Sequence, residues 1–294
     1  MMVSVIIVNY NTRELTTHCI RSVYQKTIGT EIEIILVDNA SKECDAIVFK
    51  EAFPAIHLIK SDKNLGFAAG NNLGISVAKG DYILLLNSDT ELVNDAISIA
   101  VEEIQKDPDI GVLSAQLLYP DGRTQPVAGS FPSLKHELFE LLRLYKFERA
   151  VTKAKRLYGD LWDYSIAAEV DWVWGTFFLL PRNVLNRFPD KKLQEDFFMY
   201  FEDVQWCYFI KHTLRRKIVY NPKPVVIHHL SGSSLNKDTK ENFKNKILPN
   251  QRQFLLKEHG RLYTFLFYFF RGIHFLSLRG KDNYKEAKDC FRCM

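Results

Sequence analysis

Short apolar runs alternate with helical stretches along the first third of the chain. The apolar runs are Val3–Val8, Ile32–Val37, Ile56–Ile59 and Asp81–Asn87. Runs this short and this apolar are typical of strands that are buried on both faces. Between the first two, Leu15, Cys19, Ile20 and Val23 recur at helical spacing. Such an alternation predicts right-handed crossovers and a parallel sheet, and therefore an α/β fold.

The fourth run ends in polar residues. Tyr82–Leu86 leads directly into Asn87-Ser88-Asp89. Ligands of open α/β sheets bind just beyond the carboxyl ends of the strands, where these side chains are expected to lie. A carboxylate beside an amide and a hydroxyl could bind a divalent cation and a phosphorylated ligand through oxygen atoms. In the alternative interpretation Asp89 only caps the next helix, which begins near Asp95.

The third predicted helix, Gly66–Ala78, contains glycine at every fourth position in its first part. Gly66, Gly70 and Gly74 lower helix stability, so they indicate close approach of a strand or a ligand. Their spacing is not that of the dinucleotide-binding motif, and no P-loop sequence is found. A nucleotide would therefore have to be bound by side chains and loops at the strand ends.

The remainder of the chain continues with mixed elements. The predicted elements are a helix at Asp95–Lys106, a strand at Gly111–Leu118, a helix over 133–157, one interior strand at Val170–Leu180, a helix at Val204–His212, and strands at Lys217–Tyr220 and Val225–His229. Glu202 and Asp203 immediately precede the helix at Val204. Acidic residues at a helix N-terminus interact favourably with the helix dipole. Glu202 and Asp203 could therefore have a purely structural role in place of a functional one.

The composition excludes several classes of protein. The chain is 47% hydrophobic and 25% charged, as a globular protein is, and its net charge of +4 does not imply a nucleic-acid partner. An odd number of cysteines argues against a disulfide framework, and the C-x-x-C pair Cys290 and Cys293 lacks the partners of a zinc site. The first residues enter a strand pattern without a basic leader, so the cytoplasm is the expected compartment.

Seven motifs follow one another over residues 3–235. They are VSVIIVNYNT, VDNAS, NLGFAAGNNLGI, LLLNSDTEL, DWVWGTFFLLPR, FFMYFEDVQWC and HHLSGSS. In this order they resemble the motifs of family 2 glycosyltransferases, in particular bacterial rhamnosyltransferases of surface-polysaccharide assembly. The resemblance implies a GT-A fold over residues 1–235, with a nucleotide-binding, Rossmann-like mixed sheet flanked by helices. Residues 236–294 would form a basic, aromatic helical extension.

The resemblance also implies the reaction and the donor site. The reaction would be inverting transfer of a sugar from a nucleotide diphosphate, a UDP- or dTDP-sugar such as dTDP-rhamnose, to an acceptor hydroxyl. Asp38 matches the acid that contacts the base or ribose. The residues implied in nucleotide-sugar binding are Tyr10, Asn11, Asp38, Asn64, Gly66, Asn72, Asn87 and Ser88.

A metal site is implied by the same comparison. Asp89 aligns with the metal-binding acid of the family's D-x-D motif, and His228 matches a histidine that some members use as a further ligand. A carboxylate with an imidazole suits Mn²⁺ or Mg²⁺, with diphosphate oxygens completing the shell. Asn87 replaces the first acid of the motif, which is expected to weaken cation binding.

The catalytic acids are implied to be Asp203 and Glu202. Direct displacement at the anomeric carbon requires deprotonation of the acceptor hydroxyl, for which a carboxylate is the usual general base. Asp203 matches that base, and Glu202 would orient the acceptor or the base. Trp172, Trp174 and Gly175 would line the acceptor site, although core packing explains both tryptophans nearly as well. Gln205 and Phe209 depart from the family pattern, so detailed acceptor contacts cannot be carried over.

The last part of the chain lies outside the resemblance. Basic residues surround LYTFLFYFF and Ile273–Leu278, among them Lys257, Arg261, Arg271, Arg279, Lys281, Lys285 and Lys288. This pattern favours a helix in the membrane interface, where a polyprenyl-linked acceptor would be found. A helix that packs on the catalytic domain, or between two copies in a homodimer, is the alternative.

Two other functions stay open at this point. The chain could be a catalytically silent sugar-nucleotide-binding or scaffold protein of a polysaccharide assembly complex, and the loss of the first D-x-D acid favours that alternative. Asp38, Asp89, Asp203 and His228 argue against it, because all four are present. A nucleotidyltransferase is disfavoured, since the chain lacks a glycine-rich basic phosphate loop.

Overall fold

The strand–helix alternation is present in the structure, a computed structural model that describes residues 1–144, 163–230, 237–278 and 280–294, with the backbone alone for 237–245. The strands are β1 Met2–Asn9, β2 Glu31–Asp38, β3 His57–Lys60, β4 Tyr82–Asn87, β5 Thr90–Leu92, β6 Ile110–Leu118, β7 Thr124–Gln125, β8 Ala128–Gly129, β9 Ala168–Val170, β10 Trp172–Val173, β11 Phe177–Pro181 and β12 Lys217–His228. The α-helices are α1 Arg13–Lys26, α2 Ile47–Ala52, α3 Phe67–Ile75, α4 Ala96–Lys106, α5 Leu134–Leu141, α6 Arg182–Leu185, α7 Glu202–Tyr208, α8 Lys237–Ser277 and α9 Lys281–Arg292.

These elements belong to two compact units. The first consists of Met1–Gly129 and the described part of Asp163–Gly232, and the second of the described parts of Ser130–Trp162 and Ser233–Met294. The predicted domain boundary after residue 235 stays a prediction. Every residue that the sequence assigns to the donor, metal, acceptor or catalytic site lies in the first unit.

The main sheet of the first unit is mixed. Its strand order is β3-β2-β1-β4-β11-β6-β12-β5, with β7 beside β6 and β9 beside β12. β1 to β4 are parallel, as the alternation predicts. β11 is antiparallel to both β4 and β6, and β5 is antiparallel to β12. Local pattern does not determine strand direction, because a later segment can enter between two earlier strands.

The core lies on both faces of β1 and β4. Val5, Ile6, Ile7, Leu84 and Leu85 are fully buried, which explains why these runs are apolar without alternation. Helix α3 packs on β1 through its glycines. A Cβ atom at Gly74 would lie 2.5 Å from Ile6 Cγ2, so a larger residue there would push the helix from the sheet. The close approach that the glycines predict is thus confirmed at Gly74, with a strand as the neighbour.

Several predicted elements differ in extent. Val170–Leu180 is not one strand but β9, β10 and β11, because the chain turns at Asp171 and at Gly175–Thr176. Lys217–Tyr220 and Val225–His229 are not separate strands but parts of β12, which shifts register between Tyr220 and Val225. The helix predicted over 133–157 begins at Leu134 and its α-helical part ends at Leu141, and residues 145–162 lie outside the described chain.

The described part of the second unit is helical. α5 packs on α8, where the Leu134 N–H donates to the Tyr263 hydroxyl at 2.9 Å. α8 contains a break at Gly260, whose φ is 82°. α9 packs on α8, with the Phe291 ring against Gly272. Across the described parts of the chain, no helix has both the length and the apolar character that a membrane crossing requires.

Candidate active site

The polar ends of β1, β2 and β4 meet at one edge of the sheet. In the parallel register Asn9 lies opposite Asp38, and Val8 lies opposite Asn87. Because β2 and β4 both pair with β1, Asp38 and Asn87 lie at the same edge of the sheet on either side of β1.

The Asp38 carboxylate is held by hydrogen bonds from Asn9 and Ser41, two residues that the sequence motifs do not mark as part of the site. The Asn9 side-chain amide donates to Asp38 Oδ1 at 2.8 Å, and the Ser41 N–H donates to Oδ2 at 3.3 Å. Asn11 joins the same loops, because its N–H donates to Ser41 Oγ at 3.1 Å and its Oδ1 accepts from the Lys42 N–H at 2.7 Å. Tyr10 is 44% exposed, so its ring is accessible at the mouth of this loop.

The next segment is fixed by the buried side chain of Asn39. Its Nδ2 donates to Asn64 Oδ1 at 3.0 Å and to the Gly66 carbonyl at 3.1 Å. Its Oδ1 accepts from the Leu65 N–H at 2.9 Å. Asn64 and Gly66 are therefore placed next to the Asp38 loop. The role of Asn39 is visible only in the structure, although its position directly after Asp38 in VDNAS was an available signal.

Gly66 and Asn72 connect this segment to residues 193–198. Gly66 has a φ of +83°, and a Cβ there would lie 2.2 Å from the Phe198 carbonyl oxygen, so both backbone and space require glycine. Asn72 Nδ2 donates to the Leu193 carbonyl at 2.8 Å and to Glu195 Oε1 at 2.7 Å. Both amide hydrogens of Asn72 are therefore engaged with this loop.

Asn87 and Ser88 contact the neighbouring loops. The Asn87 N–H donates to the Thr176 carbonyl at 3.0 Å, and its side-chain amide donates to Thr176 Oγ1 at 3.3 Å. The Ser88 hydroxyl shares a hydrogen bond of 3.0 Å with Thr12 Oγ1. Asp89 does not cap helix α4. That cap is Asp95, whose Oδ1 accepts from the Ser98 N–H at 3.4 Å.

Asp89 and His228 face each other. Antiparallel pairing of β5 with β12 places His228 opposite Thr90, and His228 Nε2 lies 3.3 Å from Asp89 Oδ1. Both side chains are largely buried, with 5% of His228 and 16% of Asp89 exposed. Adjacent ligands of a six-coordinate cation with bonds of about 2.1 Å lie about 3 Å apart, so the two atoms could share one ion. Among the described residues, no cluster of three or more His, Cys, Asp or Glu side chains includes this pair.

The segment 174–176 connects this pair to the acids of α7. The Trp174 ring stands edge-on to the His228 ring, with centroids 6.4 Å apart. The Gly175 N–H donates to Asp203 Oδ2 at 3.2 Å, and Phe67 fills the space where a Cβ at Gly175 would lie. Trp172 lies over Gly129, where a Cβ would come within 2.4 Å of its ring. Trp174 and Gly175 are thus brought to the site, whereas Trp172 has a packing contact.

Asp203 and Glu202 begin helix α7 after two residues in the left-handed region, Tyr200 (φ 70°) and Phe201 (φ 81°). Such backbone strain in non-glycine residues is concentrated at functional sites. Burial raises the pKa of Asp203, although N–H donation from Gly175 and Val204 lowers it in part. Burial and the Asp203 charge raise the pKa of Glu202. Glu202 is 5% exposed, and its Oε2 has no hydrogen-bond partner. A carboxylate with a raised pKa is a better proton acceptor near neutral pH than an ordinary aspartate.

The family is decided by sequence comparison. The profile described as "Glycosyl transferase family 2" matches residues 4–168, more than half of the chain. This chain belongs to glycosyl transferase family 2. The matched range contains the Asp38 loops and the Asp89 strand end, and it ends before Asp203 and His228.

Curated relatives match only part of this family 2 chain. "Glycosyltransferase GlyG" of Streptococcus pneumoniae is 32% identical over 115 residues, which are 37% of each chain. The chain spans no more than 37% of the length of GlyG or of the next two curated relatives.

Solved structures establish the fold. Staphylococcus aureus TarS 1–349 in complex with UDP superposes with a TM-score of 0.56 at 16% identity, covering 100% of this chain and 81% of that one. GalNAc-T7 with UDP, GalNAc and Mn²⁺ gives a TM-score of 0.62 at 15% identity, covering 99% of this chain and 55% of that one. The predicted GT-A fold, a mixed sheet flanked by helices, is confirmed.

Proposed function

We propose that this chain transfers a sugar from a nucleotide diphosphate to an acceptor hydroxyl, with inversion at the anomeric carbon. The observation that carries the proposal is one connected arrangement at the carboxyl edge of the sheet. The pair of Asp89 and His228 contacts Asn87, Asn87 contacts Thr176, and the adjacent Gly175 N–H contacts Asp203. This arrangement combines groups for a diphosphate and a general base within one site.

The chain's own residues supply most of the chemistry. Asp203 accepts the proton of the acceptor hydroxyl as its oxygen attacks the anomeric carbon, and the bond to the diphosphate oxygen breaks. Asp38 holds the base or ribose, and the loops at Tyr10, Asn11 and Asn64 surround the nucleotide. Asp89 and His228 would hold Mn²⁺ or Mg²⁺, which when bound neutralises the charge that develops on the departing diphosphate. Trp174 and Gly175 would lie beside the acceptor.

We also propose which nucleotide the donor carries and which biosynthetic pathway the reaction serves. UDP is the first donor nucleotide to test, because TarS and GalNAc-T7 were both solved with UDP. A dTDP-sugar, including dTDP-rhamnose, is kept because uracil and thymine share the edge that Asp38 would contact. The motif resemblance supports a place in bacterial surface-polysaccharide assembly, in the cytoplasm, with a glycan or polyprenyl-linked acceptor.

A thermal-shift panel tests the donor site. UDP-, dTDP- and GDP-sugars are each added with and without Mn²⁺. One nucleotide is expected to raise Tm in a Mn²⁺-dependent manner, since a ligand at about one hundred times its Kd stabilises the folded state by about 2.7 kcal/mol. If no nucleotide changes Tm and no sugar transfer is detected, the silent scaffold replaces the enzyme as the better interpretation.

We also propose that the second unit contacts an anionic lipid surface. Leu262, Phe265, Phe269 and Leu276 recur on one helical face of α8 and are 72%, 43%, 36% and 46% exposed. Thr264, Phe267 and Tyr268 on the other face are buried. Leu262 and Phe265 also line a cavity together with Arg252 and Arg261. Exposed apolar side chains beside arginines complement the headgroups and upper acyl chains of anionic lipid.

Arg261→Gln and Phe265→Ser are expected to weaken binding to vesicles of phosphatidylcholine with phosphatidylglycerol. A basic residue near such a surface contributes about 1 kcal/mol, so the arginine variant should bind about fivefold more weakly. Lys26→Gln, an exposed lysine of the first unit, is the control for lost charge. Co-sedimentation that is equal for all four proteins contradicts the proposal. A concentration-dependent dimer that Phe265→Ser dissociates would assign the same face to a homodimer instead.

A further inference from the structure

We propose that Gln125 is a positioning residue that holds His228 in the tautomer without a hydrogen on Nε2, the form that can bind a cation through that atom. The inference rests on the metal site of the proposed function. Gln125 is fully buried on β7, and it is 103 positions from His228 in the chain. No motif of the sequence includes it.

Two backbone carbonyls determine the orientation of the Gln125 amide. Its Nε2 donates to the His228 carbonyl at 2.7 Å and to the Leu118 carbonyl at 3.2 Å. Carbonyl oxygens only accept hydrogen bonds, so the amide nitrogen must face them and both of its hydrogens are used. The amide oxygen is thereby turned toward His228 Nδ1, at 3.0 Å.

The tautomer follows from that oxygen. An amide oxygen only accepts, so Nδ1 must carry the hydrogen, and in a neutral ring Nε2 then has the lone pair. Nε2 lies 3.3 Å from Asp89 Oδ1 and 3.5 Å from Asn87 Nδ2. The Asn87 amide can donate only to an Nε2 without hydrogen, which is consistent with the same tautomer. Nε2 and Asp89 Oδ1 are then two electron-pair donors at about the separation of adjacent ligands of one cation.

Without Gln125 the opposite tautomer becomes competitive. A hydrogen on Nε2 could be donated directly to Asp89, and this internal hydrogen bond would occupy both ligand atoms at once. Gln125 disfavours that arrangement, because Nδ1 would then present a lone pair to the amide oxygen. Outer-shell partners of ligating histidines commonly act in this way, and their loss lowers metal affinity by about 10–100-fold.

The experiment compares Gln125→Leu with Gln116→Leu. Gln116 is a matched control, because it donates to Thr124 Oγ1 of the same hairpin at 3.4 Å without contacting His228. Imidazole ¹⁵N shifts of the metal-free proteins report the tautomer, with the His228 signal assigned by its absence in His228→Asn. Mn²⁺ affinity is measured by electron paramagnetic resonance in the presence of UDP.

The wild type and Gln116→Leu are expected to show a hydrogen on Nδ1 and none on Nε2, and Gln125→Leu a population of the Nε2–H form with about 10–100-fold weaker Mn²⁺ binding. Unchanged tautomer and affinity in Gln125→Leu, or an Nε2–H form in the wild type, would overturn the inference. If Gln125→Leu does not fold, Gln125→Met, which is unbranched, takes its place. A wild type with the Nδ1–H form that binds no Mn²⁺ with UDP contradicts the proposed metal site instead, so the two failures are distinguishable.

Discussion

Asp203→Asn is expected to lower kcat for sugar transfer by about 10²–10⁴-fold, because the amide cannot accept the proton of the acceptor hydroxyl. The substitution keeps the shape of the side chain, but its single amide oxygen can accept from only one of the Gly175 and Val204 N–H groups. Nucleotide binding should therefore change little, whereas a modest fall in Tm is compatible with the assignment. Initial rates at saturating donor and acceptor measure kcat, and the Kd of UDP is measured on the same samples.

The pH profile gives an independent test of the base. Asp203 must be ionised to accept a proton, so kcat/KM rises with pH through its pKa. Because burial raises that pKa, kcat/KM should begin to fall on the acid side at a pH above the usual pKa of an aspartate. Asp171→Asn is the matched control, since its carboxylate pairs with Lys211 at 2.9 Å. Full activity in Asp203→Asn, or an equal loss in Asp171→Asn, would contradict the assignment of the base.

Asp89→Asn is expected to abolish most of the Mn²⁺ dependence of UDP binding and to lower the transfer rate by about 100-fold. A cation that stabilises a leaving diphosphate contributes several kcal/mol, and about 3 kcal/mol corresponds to about 10² in rate. The amide retains the size of the carboxylate but removes the charge that faces His228 Nε2. Calorimetric titration of UDP with and without Mn²⁺ measures the dependence.

Asp95→Asn separates metal binding from helix capping. Asp95 is the cap of α4 and also accepts from the Ile28 and Gly29 N–H groups, so its loss should lower Tm without changing the Mn²⁺ effect. Asp89→Asn should instead lose the Mn²⁺ effect while its Tm without ligand changes little. A Mn²⁺ effect that survives in Asp89→Asn would remove Asp89 from the proposed site.

Much of the parallel part of the main sheet could be predicted from local sequence. Uninterrupted apolar runs at β1, β2 and β4 can be buried only inside a sheet, and the polar residues that end them must then lie at its edge. The position of Asn87 follows from that reasoning, whereas Asp38 is assigned only through the resemblance to the family 2 motifs. The close packing at Gly74 is predicted separately, from the low stability that glycine gives a helix. The extent of the segment 170–180 was predicted wrongly, because apolar composition does not show where a strand turns at Gly175 and Thr176.

The α/β class, the sequence of the motifs along the parallel strands and the residue types at the strand ends can be read from the amino-acid sequence, because they depend on neighbours along the chain. That β11 lies antiparallel between β4 and β6, and that β5 pairs with β12, is visible only in the folded chain. The pairing of β5 with β12 brings Asp89 to His228, and the pairing of β6 with both β12 and β7 brings His228 to Gln125, in each case across more than a hundred positions. Hydrogen bonds between strands so distant in the chain leave no local pattern, since each strand is equally apolar whichever partner it has.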